Sequence, residues 1–107
     1  MTESYPKGRW VYIGEQIEVE SEGTPSEPIL IRWRGQNYPI GEILKSWFDW
    51  GFPAGATQRS WKTRRHRRYY HVSCENGEIF EIYFDRKTPH GDGVWFCYQQ
   101  QVRDAMS

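Results

Sequence analysis

Two runs of alternating apolar and polar residues, Tyr69–Cys74 and Glu78–Phe84, flank the tripeptide Glu75-Asn76-Gly77. No other stretch of the chain leaves so few foldings open. Alternation with a period of two marks a strand with one buried face, and an Asn-Gly pair between two such runs marks a hairpin. Two registers compete. A tight Asn76-Gly77 turn pairs Val72 with Glu81 and sets Glu75 against Glu78, so a carboxylate meets the core and like charges face each other. A three-residue loop, built as a type I turn with Gly77 in the left-handed conformation, avoids both. It places Tyr70, Val72, Cys74, Phe80, Ile82 and Phe84 on one face. The other face then pairs Tyr69 with Tyr83, His71 with Glu81 and Arg67 with Asp85. The bulged register is the expected one, because it separates core from surface.

The same reading extends to the rest of the chain. Gln16–Glu20 alternates around Ile17 and Val19 as a half-buried strand, and Ser21–Pro28 is a Gly/Pro/Ser loop. In the next strand, Ile29–Arg34, Ile29, Ile31 and Trp33 share one face and Leu30, Arg32 and Arg34 the other. A two-residue turn at Gly35-Gln36 sets Trp33 opposite Tyr38 and Ile31 opposite Ile40. Pro39 then lacks the N–H that Arg32 needs, so a short or bulged hairpin is expected there. Ile43, Leu44, Trp47 and Phe48 have helical spacing within Gly41–Gly51, but the neighbouring pattern favours a strand with a twisted end. Phe52–Ser60 reads as an exposed loop and Lys87–Gly93 as another. A last strand, Val94–Tyr98, carries Val94, Phe96 and Tyr98 on one face and Trp95 and Cys97 on the other. The expected fold is all-β: a small, single-domain, antiparallel, strongly twisted sheet or partly closed barrel of five to seven strands. One domain spans residues 1–107, with an ordered core over about 10–98 and flexible ends.

Aliphatic residues are scarce, so six Trp, seven Tyr and five Phe have to supply the core. Trp33 and the run Trp47-Phe48-Asp49-Trp50 read as core before they read as a binding groove, with Trp50 the most exposed. No segment approaches the roughly 18 apolar residues of a membrane helix, and Met1–Lys7 has no signal-peptide core. A soluble, cytoplasmic protein is expected. Cys74 and Cys97 have no C-x-x-C spacing and read as two buried free thiols. With His66, His71 and His90 they form no metal-ligand pattern, and His71 and Cys74 point to opposite faces of one strand. His71 with Glu81 reads as an acid–base pair or as a surface hydrogen bond. No P-loop, dinucleotide-binding glycine motif or nucleophile elbow is present, so neither an enzyme nor a cofactor is expected.

Charge is segregated within a chain of net charge zero. Glu15, Glu18, Glu20, Glu22 and Glu27 lie in a stretch, Val11–Ile31, without one basic residue. Between Asp49 and Glu75 come Arg59, Lys62, Arg64, Arg65, Arg67 and Arg68 with no carboxylate at all. Cations beside Trp61 and Tyr69 suit single-stranded nucleic acid, the cations meeting phosphates and the rings stacking on bases. The same charges suit an acidic protein surface, including the acidic segment of a second copy, which makes monomer and homodimer both open. A solvated linker, offset by the acidic N-terminal strand packed beside it, is the plainest alternative. The hairpin register commits Arg67 to Asp85 and turns Arg68 to the core face at the strand's end, leaving Arg59, Lys62, Arg64 and Arg65 for a partner.

Two motifs point to relatives. Trp33-Arg34-Gly35-Gln36-Asn37-Tyr38 is a W-R-G-x-x-Y hairpin, and Gly77–Asp85 reads G-x-x-F-E-I-Y-x-D, followed by the aromatic strand Val94-Trp95-Phe96. Over Ile29–Tyr98 the chain resembles a small uncharacterised bacterial all-β domain family, several members of which are encoded beside translesion DNA polymerases. The resemblance implies a link to DNA repair and assigns no residue a role.

Overall fold

The computed structural model describes residues 8–49, 66–88 and 90–102, and these form strands without a helix. The strands are β1 (Arg9–Glu22), β2 (Glu27–Trp33), β3 (Gln36–Asp49), β4 (Arg67–Cys74), β5 (Ile79–Arg86) and β6 (Gly93–Val102). Each pairs antiparallel with its neighbour in sequence, and β6 pairs back onto β1, closing a six-stranded barrel. The expected small antiparallel barrel is the observed fold, with the closure complete.

The β4–β5 hairpin takes the three-residue register. Tyr69 faces Tyr83, His71 faces Glu81 and Arg67 faces Asp85. Gly77 has φ 92°, and its N–H donates to the Cys74 carbonyl at 2.9 Å while the Cys74 N–H donates to Glu78 at 2.8 Å. The β2–β3 hairpin differs from expectation by two residues. Trp33 pairs with Gln36 and Ile31 with Tyr38, so the turn residues are Arg34 and Gly35. Both have positive φ, 52° and 75°, the signature of a type I′ turn, whose twist matches the strands it joins. In this register Pro39 sits opposite Leu30, a position outside the hydrogen-bonded pairs, so its missing N–H costs the β2–β3 ladder nothing. The predicted conflict with Arg32 vanishes.

Irregularities account for the other differences. β3 is a strand throughout, but its register against β4 shifts between Ile40 and Glu42 and again between Ile43 and Lys45. Each bulge resets which face a residue takes, and this is why Ile43, Leu44, Trp47 and Phe48 imitate a helical spacing. A shift between β1 and β2 turns Ile29 outward, 40% exposed, and buries Pro28 in its stead. β1 begins at Arg9, and Gln99–Val102, expected at a frayed end, pair with Arg9–Tyr12. The Ser21–Pro28 loop shortens to a turn between Glu22 and Glu27.

The core consists of Ile17, Ile31, Trp33, Tyr70, Val72, Cys74, Phe80, Ile82 and Cys97. Phe80 meets Trp33 and Tyr38 edge-on, at 5.7 and 5.4 Å between ring centres, the favoured geometry for aromatic pairs. Cys74 and Cys97 are buried free thiols, and burial pushes both up to about 12.

Candidate functional site

At one end of the barrel β1, β3 and β5 finish and β2, β4 and β6 begin. There the wall opens into a pocket of about 490 Å³. Its aromatic lining is Phe48, Tyr70, Phe84 and Trp95, its basic lining His66, Arg67, Arg68 and Arg86, with Ser21, Ser26 and Gly91 completing the rim. The two β strands that matter most are held in register here by a hydrogen bond from the Arg86 N–H to the His66 carbonyl, 2.8 Å.

Arg67 and Arg68 are consecutive on β4 and therefore point to opposite sides of the wall. Arg68 turns inward. Its guanidinium lies 4.6 Å from the centre of Phe48 and 5.3 Å from that of Tyr70, and its buried Nε has no hydrogen-bond partner. Burial pushes the Tyr70 phenol up, with the Arg68 charge acting the other way. Arg67 turns outward over Tyr83, 4.7 Å from the ring centre, and donates to the Tyr69 hydroxyl at 3.3 Å. Its Nε is 3.5 Å from Asp85, a carboxylate it shares with Lys87.

The outer side of the same wall carries a ladder of rings set by strand register: Trp47 on β3, Tyr69 on β4, Tyr83 on β5 and Phe96 on β6. Adjacent ring centres are 5.2, 4.9 and 5.3 Å apart, and Lys45 lies over Trp47. Beside the ladder, His71 Nε2 and Glu81 Oε1 are 2.8 Å apart, and Gln99 donates to the same oxygen at 3.0 Å. Trp10 and Trp47 pack on the His71 ring, leaving His71 and Glu81 each only 8% exposed. A pair that sequence alone leaves between catalysis and surface hydrogen bonding is a buried polar network.

Of the residues singled out by sequence, Arg67, Arg68 and Tyr69 are described, and Arg59, Trp61, Lys62, Arg64 and Arg65 lie outside the described residues, as does Trp50. Arg68 belongs to the pocket and Tyr69 to the outer ladder, so the rim of β4 joins the two. Phe48, Phe84, Arg86 and Trp95 escaped the sequence reading as site residues. One signal was available for Arg86: extending the Arg67–Asp85 register by one residue sets it beside His66.

Among the described residues the acidic strand is not paired with β4, which carries Arg67 and Arg68; residues 59–65 of the basic segment lie outside the described residues. β1 neighbours β2 and β6. Glu20 pairs with Arg32, and Glu15 accepts from Arg34 at 2.5 and 3.1 Å and from the Trp33 indole at 2.7 Å. Those bonds, from Arg34 first and Trp33 second, hold the Glu15 carboxyl below the usual carboxylate range. Two carboxylates of the acidic strand are thus offset by Arg32 on β2 and by Arg34 in the β2–β3 turn. Among the described residues no three His, Cys, Asp or Glu side chains come together as a metal site, and His71 lies on the face of β4 opposite Cys74. No helix among them is long and apolar enough to cross a membrane.

Residues 9–102 match the sequence profile of a family described as a domain of unknown function, DUF6504. Neither the curated proteins nor the solved structures yield a match.

Proposed function

The chain belongs to the DUF6504 family, and because that membership brings no activity with it, we propose a function from the site: a non-enzymatic module that binds single-stranded nucleic acid at the barrel mouth. The observation that carries this reading is Arg68, laid across Phe48 and Tyr70 inside a pocket that also holds Arg86 and Trp95. Cations interleaved with rings are what a phosphate backbone and unpaired bases together require. Connectivity adds support. β3 ends at Asp49 and β4 begins at Arg67, both at this end, so the connection that bears Arg59, Trp61, Lys62, Arg64 and Arg65 starts and finishes at the mouth. The family resemblance adds DNA repair as the setting in which such binding would act.

The alternative is that the mouth docks on an acidic protein surface, or on β1 of a second copy to make a homodimer. It is weakened by Arg32 and Arg34, which already engage Glu20 and Glu15 within the chain. Titration of a labelled single-stranded oligonucleotide at low and moderate salt tests the choice. Binding should weaken with salt at a log–log slope of about −0.7 for each phosphate engaged, and Arg68→Gln should lower both affinity and slope. Absence of binding at low salt, with a dimer mass in solution, would leave the protein-docking reading in its place.

A further inference from the structure

The shape of the mouth restricts what can enter it. Tyr70 and Trp95 form its floor, 5.7 Å apart between ring centres. Below them the barrel is filled by Ile31, Val72, Phe80 and Ile82, none more than 1% exposed. Among the described residues the pocket is therefore blind, closed at its inner end. A continuous strand on a nucleic-acid-binding barrel tracks a groove with two exits over roughly 4–16 nucleotides. A blind recess of about 490 Å³ instead falls in the size class of small-ligand pockets, roughly 300–1,000 Å³.

Charge narrows the ligand further. Arg32, Arg34 and Arg67 each have a carboxylate partner, in Glu20, Glu15 and Asp85. Arg68 has none among the described residues. Its guanidinium contacts are the faces of Phe48 and Tyr70, and its Nε is buried without an acceptor. Stacking on a ring occupies a face of the guanidinium and leaves its N–H edge for an anion, the bidentate geometry that phosphate oxygens match. A terminal phosphate carries about −1.5 to −2 charges at neutral pH, against one for an internal phosphodiester, so a cation at the mouth of a blind pocket favours a terminus.

Resting on the nucleic-acid reading, we propose that the mouth is a socket for one nucleotide bearing a terminal phosphate, the base stacked on the contacting pair Phe84 and Trp95, whose ring centres are 5.2 Å apart, and the phosphate held by Arg68 beside Arg86. The nucleotide is either the phosphorylated end of a single strand or a free nucleoside monophosphate, and the same chemistry serves both.

Competition against a labelled 5′-phosphorylated single strand separates the cases. The competitors are the same sequence with a 5′-phosphate, a 3′-phosphate or hydroxyl ends, the sequence closed into a circle, and a deoxynucleoside monophosphate. A phosphorylated end should compete about tenfold better than the circle, a difference near 1.4 kcal/mol. Arg68→Gln should erase that preference. Arg68→Lys, which keeps the charge but loses the planar fork, should retain only part of it, and circular dichroism verifies that both variants fold. A monophosphate that matches the strand end identifies the free nucleotide as the ligand and upholds the socket. A circle that binds as well as the phosphorylated end, or a preference unchanged in Arg68→Gln, overturns the socket while leaving nucleic-acid binding standing. Failure of every strand overturns the broader reading, and the socket falls with it unless the monophosphate binds in an Arg68-dependent way.

Discussion

Replacing Glu81 by Ala tests the buried network on the outer wall. As a carboxylate Glu81 only accepts, so His71 Nε2–H and the Gln99 amide both donate to its Oε1, at 2.8 and 3.0 Å. Glu81→Ala strips both donors of their acceptor. His71 is 8% exposed and packed by Trp10 and Trp47, so it regains little water, and an unsatisfied buried donor costs about 1–3 kcal/mol. Gln99 is only partly buried and can be resolvated, which adds little. The sum is about 1–3 kcal/mol, a large share of the roughly 5–15 kcal/mol that holds a domain folded. With a urea m-value of about 1–3 kcal/mol/M, the unfolding midpoint should fall by about 1 M, within a range of roughly 0.3–3 M. Tryptophan fluorescence in urea measures it directly. His71→Phe should cost a similar amount, because it leaves a buried carboxylate with Gln99 alone. The double variant His71→Phe/Glu81→Ala removes both partners at once. It should be less destabilised than the two single effects summed, by at least about 1 kcal/mol. A Glu81→Ala cost under about 0.5 kcal/mol, or strict additivity in the double variant, would refute the burial argument and return the pair to an ordinary surface contact.

Gly77 has φ 92°, and a Cβ there would meet nothing within 4 Å, so Gly77→Ala should cost about 1–2 kcal/mol from backbone strain alone. Gly77→Asn should cost less, and an Asn variant less stable than the Ala variant in thermal denaturation would show that the turn is not the cause. Cys74 and Cys97, with thiols pushed up to about 12, should resist a thiol reagent at pH 8, where roughly one molecule in 10⁴ carries a given thiolate, and both should react once urea unfolds the chain. Rapid labelling of the folded protein would contradict the core placement. Because the Glu15 carboxyl is held below its ordinary 4.5, its contribution to stability is present above that pH and is lost on acidification. The midpoint difference between the parent and Glu15→Gln should therefore be constant near neutrality and shrink below about pH 4.5; a difference that persists in acid would count against the Arg34–Glu15 contact.

The candidate site was only partly visible in the amino-acid order. The Arg67–Asp85 pairing and the inward turn of Arg68 follow from hairpin alternation, and both stand. The pocket around Arg68 follows only in part: the hairpin register sets Phe84 opposite Arg68, but Phe48 and Trp95 join that row through the β3–β4 and β5–β6 pairings, whose bulged registers local alternation does not give. The expected β2–β3 register failed for a local reason. Arg34 takes a positive φ that L-residues seldom adopt, and the Gly35-Gln36 turn looked the easier choice.

By itself the sequence determined the all-strand class, the faces of β4, β5 and β6, and the three-residue turn at Gly77. All of these depend on interactions between residues near in the chain: a side-chain period of two, and one glycine free to adopt the left-handed region. Only the tertiary structure decided which distant residues share a neighbourhood. Pairing of β6 with β1 sealed the barrel and left its mouth as a blind pocket. Strand order gave Glu20 and Glu15 of the acidic strand to Arg32 and Arg34. Register set Trp47 and Trp10 on His71 and so buried a pair that looks solvent-facing in one dimension. Burial is a property of what the rest of the chain brings alongside, and local alternation cannot carry it.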